Sequence, residues 1–161
     1  MLLGLLVAFL IIIVVRRPSG VMGTRFTKEP RVGYFVKRGG WTWAGRAGNV
    51  VRPGDAVQFV YTSEKASFLT ILTADAGGHV AVRYPDAPQA ARAPAGRDVV
   101  LPASSVLDDV IGLERVLALF CEQPVDIEPV RRSWQAISGA GDPPIPPGCH
   151  PDFTEWETRM P

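Results

Sequence analysis

Two cysteines, two histidines and a short acidic run are the residues of this chain best suited to chemistry. Cys121 closes the apolar run ALFC, and Cys149 sits far along in an irregular tail. A nucleophilic thiol needs a nearby base and an electropositive, partly exposed setting. Aliphatic neighbours instead hide Cys121 and raise its pKa. A zinc site needs closely spaced pairs of ligands, and only His150 adjoins either cysteine. A disulfide between Cys121 and Cys149 fits better, because it would pin a tail with little surface to bury. Two inert free thiols are the alternative. Disulfides persist outside reducing compartments, so the pairing bears on location.

Asp108 and Asp109, with Glu114, are an acidic cluster that could hold a cation or act as a carboxylate pair. Carboxylates in a turn are more often solvated or helix-capping, and they are read so here. His79 alternates outward from a valine-rich face and reads as a surface residue. Arg83 and Tyr84, just before Pro85, end a strand where a ligand could touch. There is no GxSxG elbow and no GxxxxGK[ST] phosphate loop. The expectation is a non-enzymatic protein with no cofactor, no metal and no catalytic residue.

Charge is nearly balanced, 17 Lys+Arg against 16 Asp+Glu over 161 residues, which removes the electrostatic reason to expect a nucleic-acid partner. The uncharged block MLLGLLVAFLIIIVV, residues 1–15, lacks the basic start and small-residue cleavage site of a signal peptide. It reads as a single membrane span, short of the usual length of about 20 residues and so clipped at its start. Arg16 and Arg17 taken alone favour a cytoplasmic C-terminal side. The cysteines favour an extracytoplasmic one. Residues 16–30 form a juxtamembrane linker.

From Arg31 the pattern becomes that of strands. RVGYFVKR places Val32, Tyr34 and Val36 on one face. GGWTWAGRAGN is a loop carrying Trp41 and Trp43, either a partner-binding site or the cap of a core. AVQFVYT, SFLTILTAD and HVAVRYP read as a three-stranded meander, with the last two joined at the DAGG hairpin. DAPQAARAPAG is a surface loop and DVVLP a short strand. SSVLDDVIG is a loop or one helical turn capped by Ser104 or Ser105.

The run Val116 to Cys121 is apolar on both faces, as in a strand buried on both sides; a helix is the alternative. Asp126 caps a helix whose stripe is Ile127, Val130, Trp134 and Ile137, ended by Gly139. The proline-rich tail 139–161 is extended and packed on the domain, with Asp152 to Thr158 as an edge strand. The whole predicts a mainly β, antiparallel β-sandwich-like domain over 31–138 with one packed α-helix, preceded by an N-terminal transmembrane helix.

The succession RVGYFVKRGG, VVRPGDAVQFVYTSEKASFLTILTADAGGHVAVRYP and AGRDVVLPASSVLDDVIGLERVLALFCEQPV resembles a bacterial family. It is the domain-of-unknown-function family numbered 4384, which includes ActD-like proteins. The resemblance implies a β-rich accessory domain attached to membrane-anchored or signalling proteins, some carrying a zinc-binding anti-sigma-factor module. The expected function is a membrane-anchored, extracytoplasmic (periplasmic-side) binding or sensory domain with a protein partner, met through Trp41, Trp43 and Tyr84. The alternative is the C-terminal part of a transmembrane anti-sigma-factor-like regulator whose cytoplasmic zinc module lies elsewhere.

Overall fold

The computed structural model describes residues 29–161; the span expected at residues 1–15 and most of the linker lie outside them. The described residues are mainly β, in two sheets with one helix. The strands are β1 (Arg31–Arg38), β2 (Trp41–Ala44), β3 (Asn49–Val51), β4 (Ala56–Ser63), β5 (Ser67–Ala74), β6 (Val80–Tyr84), β7 (Ala91–Ala93), β8 (Gly96–Val106), β9 (Gly112–Cys121) and β10 (Cys149–Thr158). The helix, α1, spans Ile127–Ala136. One sheet has the order β2-β1-β4-β8 and the other β3-β10-β9-β5-β6, with β7 continuing the free side of β5. All pairings are antiparallel except β3 with β10.

Period-two alternation builds the layer between the sheets. Val32, Tyr34 and Val36 of β1 and Val57, Phe59 and Tyr61 of β4 face Leu69 and Ile71 of β5, Val116, Ala118 and Phe120 of β9, and Trp156 of β10. Tyr34 meets Trp156 edge-on at 5.1 Å between ring centroids. The other face of β9 presents Leu117, Leu119 and Cys121 to Ile127, Val130 and Trp134 of α1. β9 is therefore a strand buried on both sides, because a sheet covers one face and a helix the other.

Five local readings are corrected. Gly39 and Gly40 close a two-residue hairpin, so Trp41 and Trp43 stand on strand β2 rather than in a loop. β4 and β5 belong to different sheets and make no meander, since each finds its partners within its own layer. Ala91–Ala93, inside the expected surface loop, forms β7 by pairing with the start of β5. Ser104 and Ser105 lie in β8 opposite Gln58 and Val57, and cap no helix. The tail strand is longer than expected and is not simply an edge, because it lies between β3 and β9 and pairs with β9 along its whole length.

Helix α1 begins where expected, but not by side-chain capping. Asp126 makes no cap bond; its carboxylate accepts from Gln89 Nε2 at 3.0 Å, while the N–H of Ile127 donates to Pro88 O. Ile137 falls outside the buried stripe and is exposed. Gly139, at φ +66°, ends the helix against Ala74, where a Cβ would come within 2.3 Å of that residue's own Cβ. Arg115 clips the start of the tail to the sheet. Its guanidinium donates to the carbonyls of Gly139 and Gly141 and to Asp142 Oδ1, and it sits over the rings of Trp134 and Phe153.

Candidate functional site

The tip of the β1–β2 hairpin carries the most exposed aromatic side chain among the described residues. Trp41 is 80% exposed, opposite Arg38. Trp43 lies two residues on, on the same face, half-buried against the core. Arg38 places its guanidinium carbon 5.4 Å from the centre of the Trp43 ring. That guanidinium donates from Nε and Nη2 to Asp55 Oδ1 and Oδ2, both at 2.7 Å. The RPGD turn delivers Asp55 to this point, and the Arg52 N–H donates to its Oδ2 at 2.9 Å. Asp55 is buried, and the Arg38 side chain beside it holds its carboxyl below the usual range. A two-toothed ion pair of this kind fixes geometry as well as charge. Trp41 thus stands above a braced Arg–Trp platform at the open edge of the sheet. Beside it, a cavity of about 510 Å³ is lined by Arg38, Arg52, Asp109 and Met160.

Strand β2 has a partner on one side only. With a two-residue turn, the pairs Arg38–Trp41 and Val36–Trp43 exchange the ladder bonds, leaving the backbone groups of Thr42 and Ala44 turned outward. Such an edge accepts an extended segment of another chain.

Tyr84 is not part of this edge. It pairs with Ile71 on β6, at the far border of the other sheet, with its ring packed on the inter-sheet core. β1 lies over β10 while β8 lies over β6, so the Trp41–Trp43 edge and Tyr84 occupy opposite flanks. The Tyr84 carbonyl accepts from Thr70 Oγ1 at 2.9 Å. The acidic cluster does not assemble either. Glu114 is buried and pairs with Arg83 at 3.2 Å, while Asp108 accepts from the Val110 N–H. Among the described residues no group of three His, Cys, Asp or Glu side chains could hold a metal ion. His79 is exposed, as expected.

Cys121 and Cys149 form a disulfide across the β9–β10 ladder, with Cα atoms 4.0 Å apart. That removes Cys121 as a free thiol. Reading the sequence missed Arg38 and Asp55, which brace the Trp43 ring at the β2 edge. The signal for this pair was present: Gly39-Gly40 between two alternating runs marks a tight hairpin, and the RPGD turn returns Asp55 beside its end. Set against protein-family models, curated proteins and solved structures, the chain has no match.

Proposed function

We propose that this chain is a non-enzymatic, membrane-anchored binding domain that faces an oxidising, extracytoplasmic space and takes a protein partner along the β2 edge. The observation that carries the reading is Trp41, a large apolar side chain left 80% exposed beside a rigid Arg38–Trp43 platform and an unpaired strand edge. Tryptophan and arginine are the residues most enriched in the energetic centres of interfaces. The Cys121–Cys149 disulfide and the apolar block at residues 1–15 support the compartment and the anchor. Among the described residues no helix is long and apolar enough to cross a membrane, so the anchor rests on that block alone. The resemblance of its motif order to the ActD-like family supports an accessory role in a signalling or envelope protein.

The second reading, the C-terminal part of an anti-sigma-like regulator, rests on the same resemblance. An upstream reading frame encoding a closely spaced His/Cys motif would decide for it. For the main reading, the test is affinity capture from envelope extracts of the native host with the wild type and Trp41→Ala. The expected result is partner loss in Trp41→Ala at unchanged melting temperature. Identical capture by both proteins would remove the β2 edge from the interface.

A further inference from the structure

The sheet β2-β1-β4-β8 has two edges, and only one of them is guarded. β8 carries Pro102 and two register shifts against β4, features that keep a further strand from pairing with an edge. β2 reads WTWA, with no charge, no proline and an unbroken register against β1. Trp41, Thr42 and Ala44 are all exposed. Natural sheets block their free edges, so an edge left open on an otherwise protected sheet is suited to a covering strand.

Charge is the second feature. Between Arg31 and Gly54 the chain holds five basic residues, Arg31, Lys37, Arg38, Arg46 and Arg52, and no acidic one. The near-balance of the whole chain, formally +1, hides this run. Three acids approach it from other elements. Asp55 is taken up by Arg38, Asp109 lines the cavity with Arg38 and Arg52, and Glu155 lies beside the Tyr34 hydroxyl. Lys37 and Arg46 are exposed and stand in no ion pair among the described residues.

The two features meet on one hairpin. Register sets Lys37 opposite Thr42 and Phe35 opposite Ala44 on the outer face of the sheet, while Trp41 and Trp43 lie on the other face. The outward backbone groups of Thr42 and Ala44 offer two N–H donors and two carbonyls. A strand laid along them sends alternate side chains to the two faces. On one face those side chains meet the indole rings. On the other they pass over Thr42, which is too small to screen Lys37, and Arg46 follows two residues beyond Ala44 at the far end of the edge.

We infer that the β2 edge takes an extended, acidic segment of its partner, with apolar side chains at alternate positions and a carboxylate toward each end. This rests on the reading of that edge as the partner site and names the chemistry it recognises. The segment's backbone completes the ladder at Thr42 and Ala44, and its apolar side chains lie on Trp41 and Trp43. Its carboxylates meet Lys37 and Arg46, which steer the approach and fix the register. The open ladder groups favour a peptide over a lipid surface or a nucleic acid, since neither of those supplies a strand. A second copy of this chain is disfavoured, because it would set one basic run against another.

The test is selection of a displayed random decapeptide library on the full chain in detergent micelles, followed by titration calorimetry with the selected peptides. The selected peptides should be net acidic with alternating apolar residues, and raised salt should weaken their binding. Lys37→Glu combined with Arg46→Glu should lower affinity by more than about tenfold. Ala44→Pro should lower it by roughly tenfold at a nearly unchanged melting temperature, because the N–H it removes faces outward and takes no part in the β1–β2 ladder. The charge variants alter only exposed side chains, so they decide the matter even where Ala44→Pro unfolds. Neutral or basic peptides that still require Trp41 would overturn the acidic segment yet leave the edge as a partner site. Selected peptides indifferent to Trp41→Ala, or no enrichment at all, would overturn the peptide-binding edge itself. Binding of phosphatidylglycerol vesicles, or dimerisation, that Trp41→Ala abolishes would assign the edge to a lipid surface or a second copy and overturn the proposal.

Discussion

Cys121 and Cys149 occupy the same rung of the β9–β10 ladder, so the bond between them joins two strands already paired through the ten residues that follow Gly148. The N–H of Glu122 donates to Gly148 O on the adjacent rung, which makes the cysteines a non-hydrogen-bonded pair, the closer of the two antiparallel pair types. The closed loop, with a sequence separation of 28, contains α1 and the proline-rich stretch after it. In the chain-entropy model such a loop contributes about 3–4 kcal/mol. The double substitution Cys121→Ala, Cys149→Ala should lower the urea midpoint by that much stability while far-ultraviolet circular dichroism stays unchanged. An unaltered midpoint would show that the strand ladder alone holds the tail.

Tyr34 is the clasp between the sheets on the β2 side. Its hydroxyl donates to Arg46 O at 2.7 Å and lies 3.2 Å from Glu155 O, and its ring packs against Gly45. A Cβ at Gly45 would fall 2.0 Å from that ring, inside any real contact distance. Gly45→Ala should therefore cost about 3 kcal/mol, as overpacking does where neither neighbour can move aside. Burial, aided by Glu155, pushes the Tyr34 phenol up to about 12. Because the folded value is raised, stability from this group is complete below about pH 10 and is lost as pH rises through 12. Absorbance titration should show late ionisation that Tyr34→Phe removes.

Trp41 and Trp43 should separate in a stability assay. Trp41→Ala removes a side chain already in water and should shift stability by less than about 0.5 kcal/mol. Trp43→Ala exposes part of the core and frees the Arg38 guanidinium from its ring, so a loss of about 1–2 kcal/mol is expected. Chemical denaturation of the two variants checks this, and similar losses for both would place Trp41 in the core.

One buried and one half-buried carboxylate, Asp55 and Asp152, should pull acid stability in opposite directions. The Asp55 carboxyl is held low, chiefly by the hydrogen bonds from Arg38, so its contribution is present above the ordinary aspartate value near pH 3.9 and lost as pH falls through the folded value. Asp55→Asn should cost about 2 kcal/mol at pH 7, after discounting for the part-exposed arginine, and should flatten the acid limb. Burial pushes the Asp152 carboxyl up, and its Oδ2 accepts the Val32 N–H at 2.7 Å. A raised carboxyl favours the fold at low pH and opposes it once ionised. Asp152→Asn keeps an acceptor without the charge and should be neutral or stabilising at pH 7, whereas Asp152→Ala strands the Val32 N–H and should cost about 1–2 kcal/mol. Thermal melts across pH 3–8 read both effects.

Where residue pattern and burial agree, the fold was legible. Alternation in RVGYFVKR and AVQFVYT marked the inward faces of β1 and β4, and the uninterrupted apolar run to Cys121 marked a strand covered on both sides. What escaped was set by distant partners. The SEKA corner reads like a hairpin connection, yet it carries the chain from one sheet to the other. The tail strand was expected as an edge from Asp152 because the tail is rich in proline; in the structure it starts earlier and takes in Pro151. It tolerates that proline inside the sheet because β3 pairs only with Trp156–Thr158, and the missing N–H of Pro151 faces the open side. Of the candidate site, the tryptophans were visible as residue types, but Tyr84 was grouped with them by chemistry rather than place.

The central claim is that the folded part works in an oxidising space with its two sulfurs joined. The most direct measurement is acid-trapped thiol alkylation of the full chain in its native cell, read by mass spectrometry at Cys121 and Cys149. The expected result is no labelling of either cysteine before reduction and complete labelling of both after it. Labelling of both without reduction would contradict the account, placing the domain in a reducing compartment and leaving the tail to be held by its strand pairing alone.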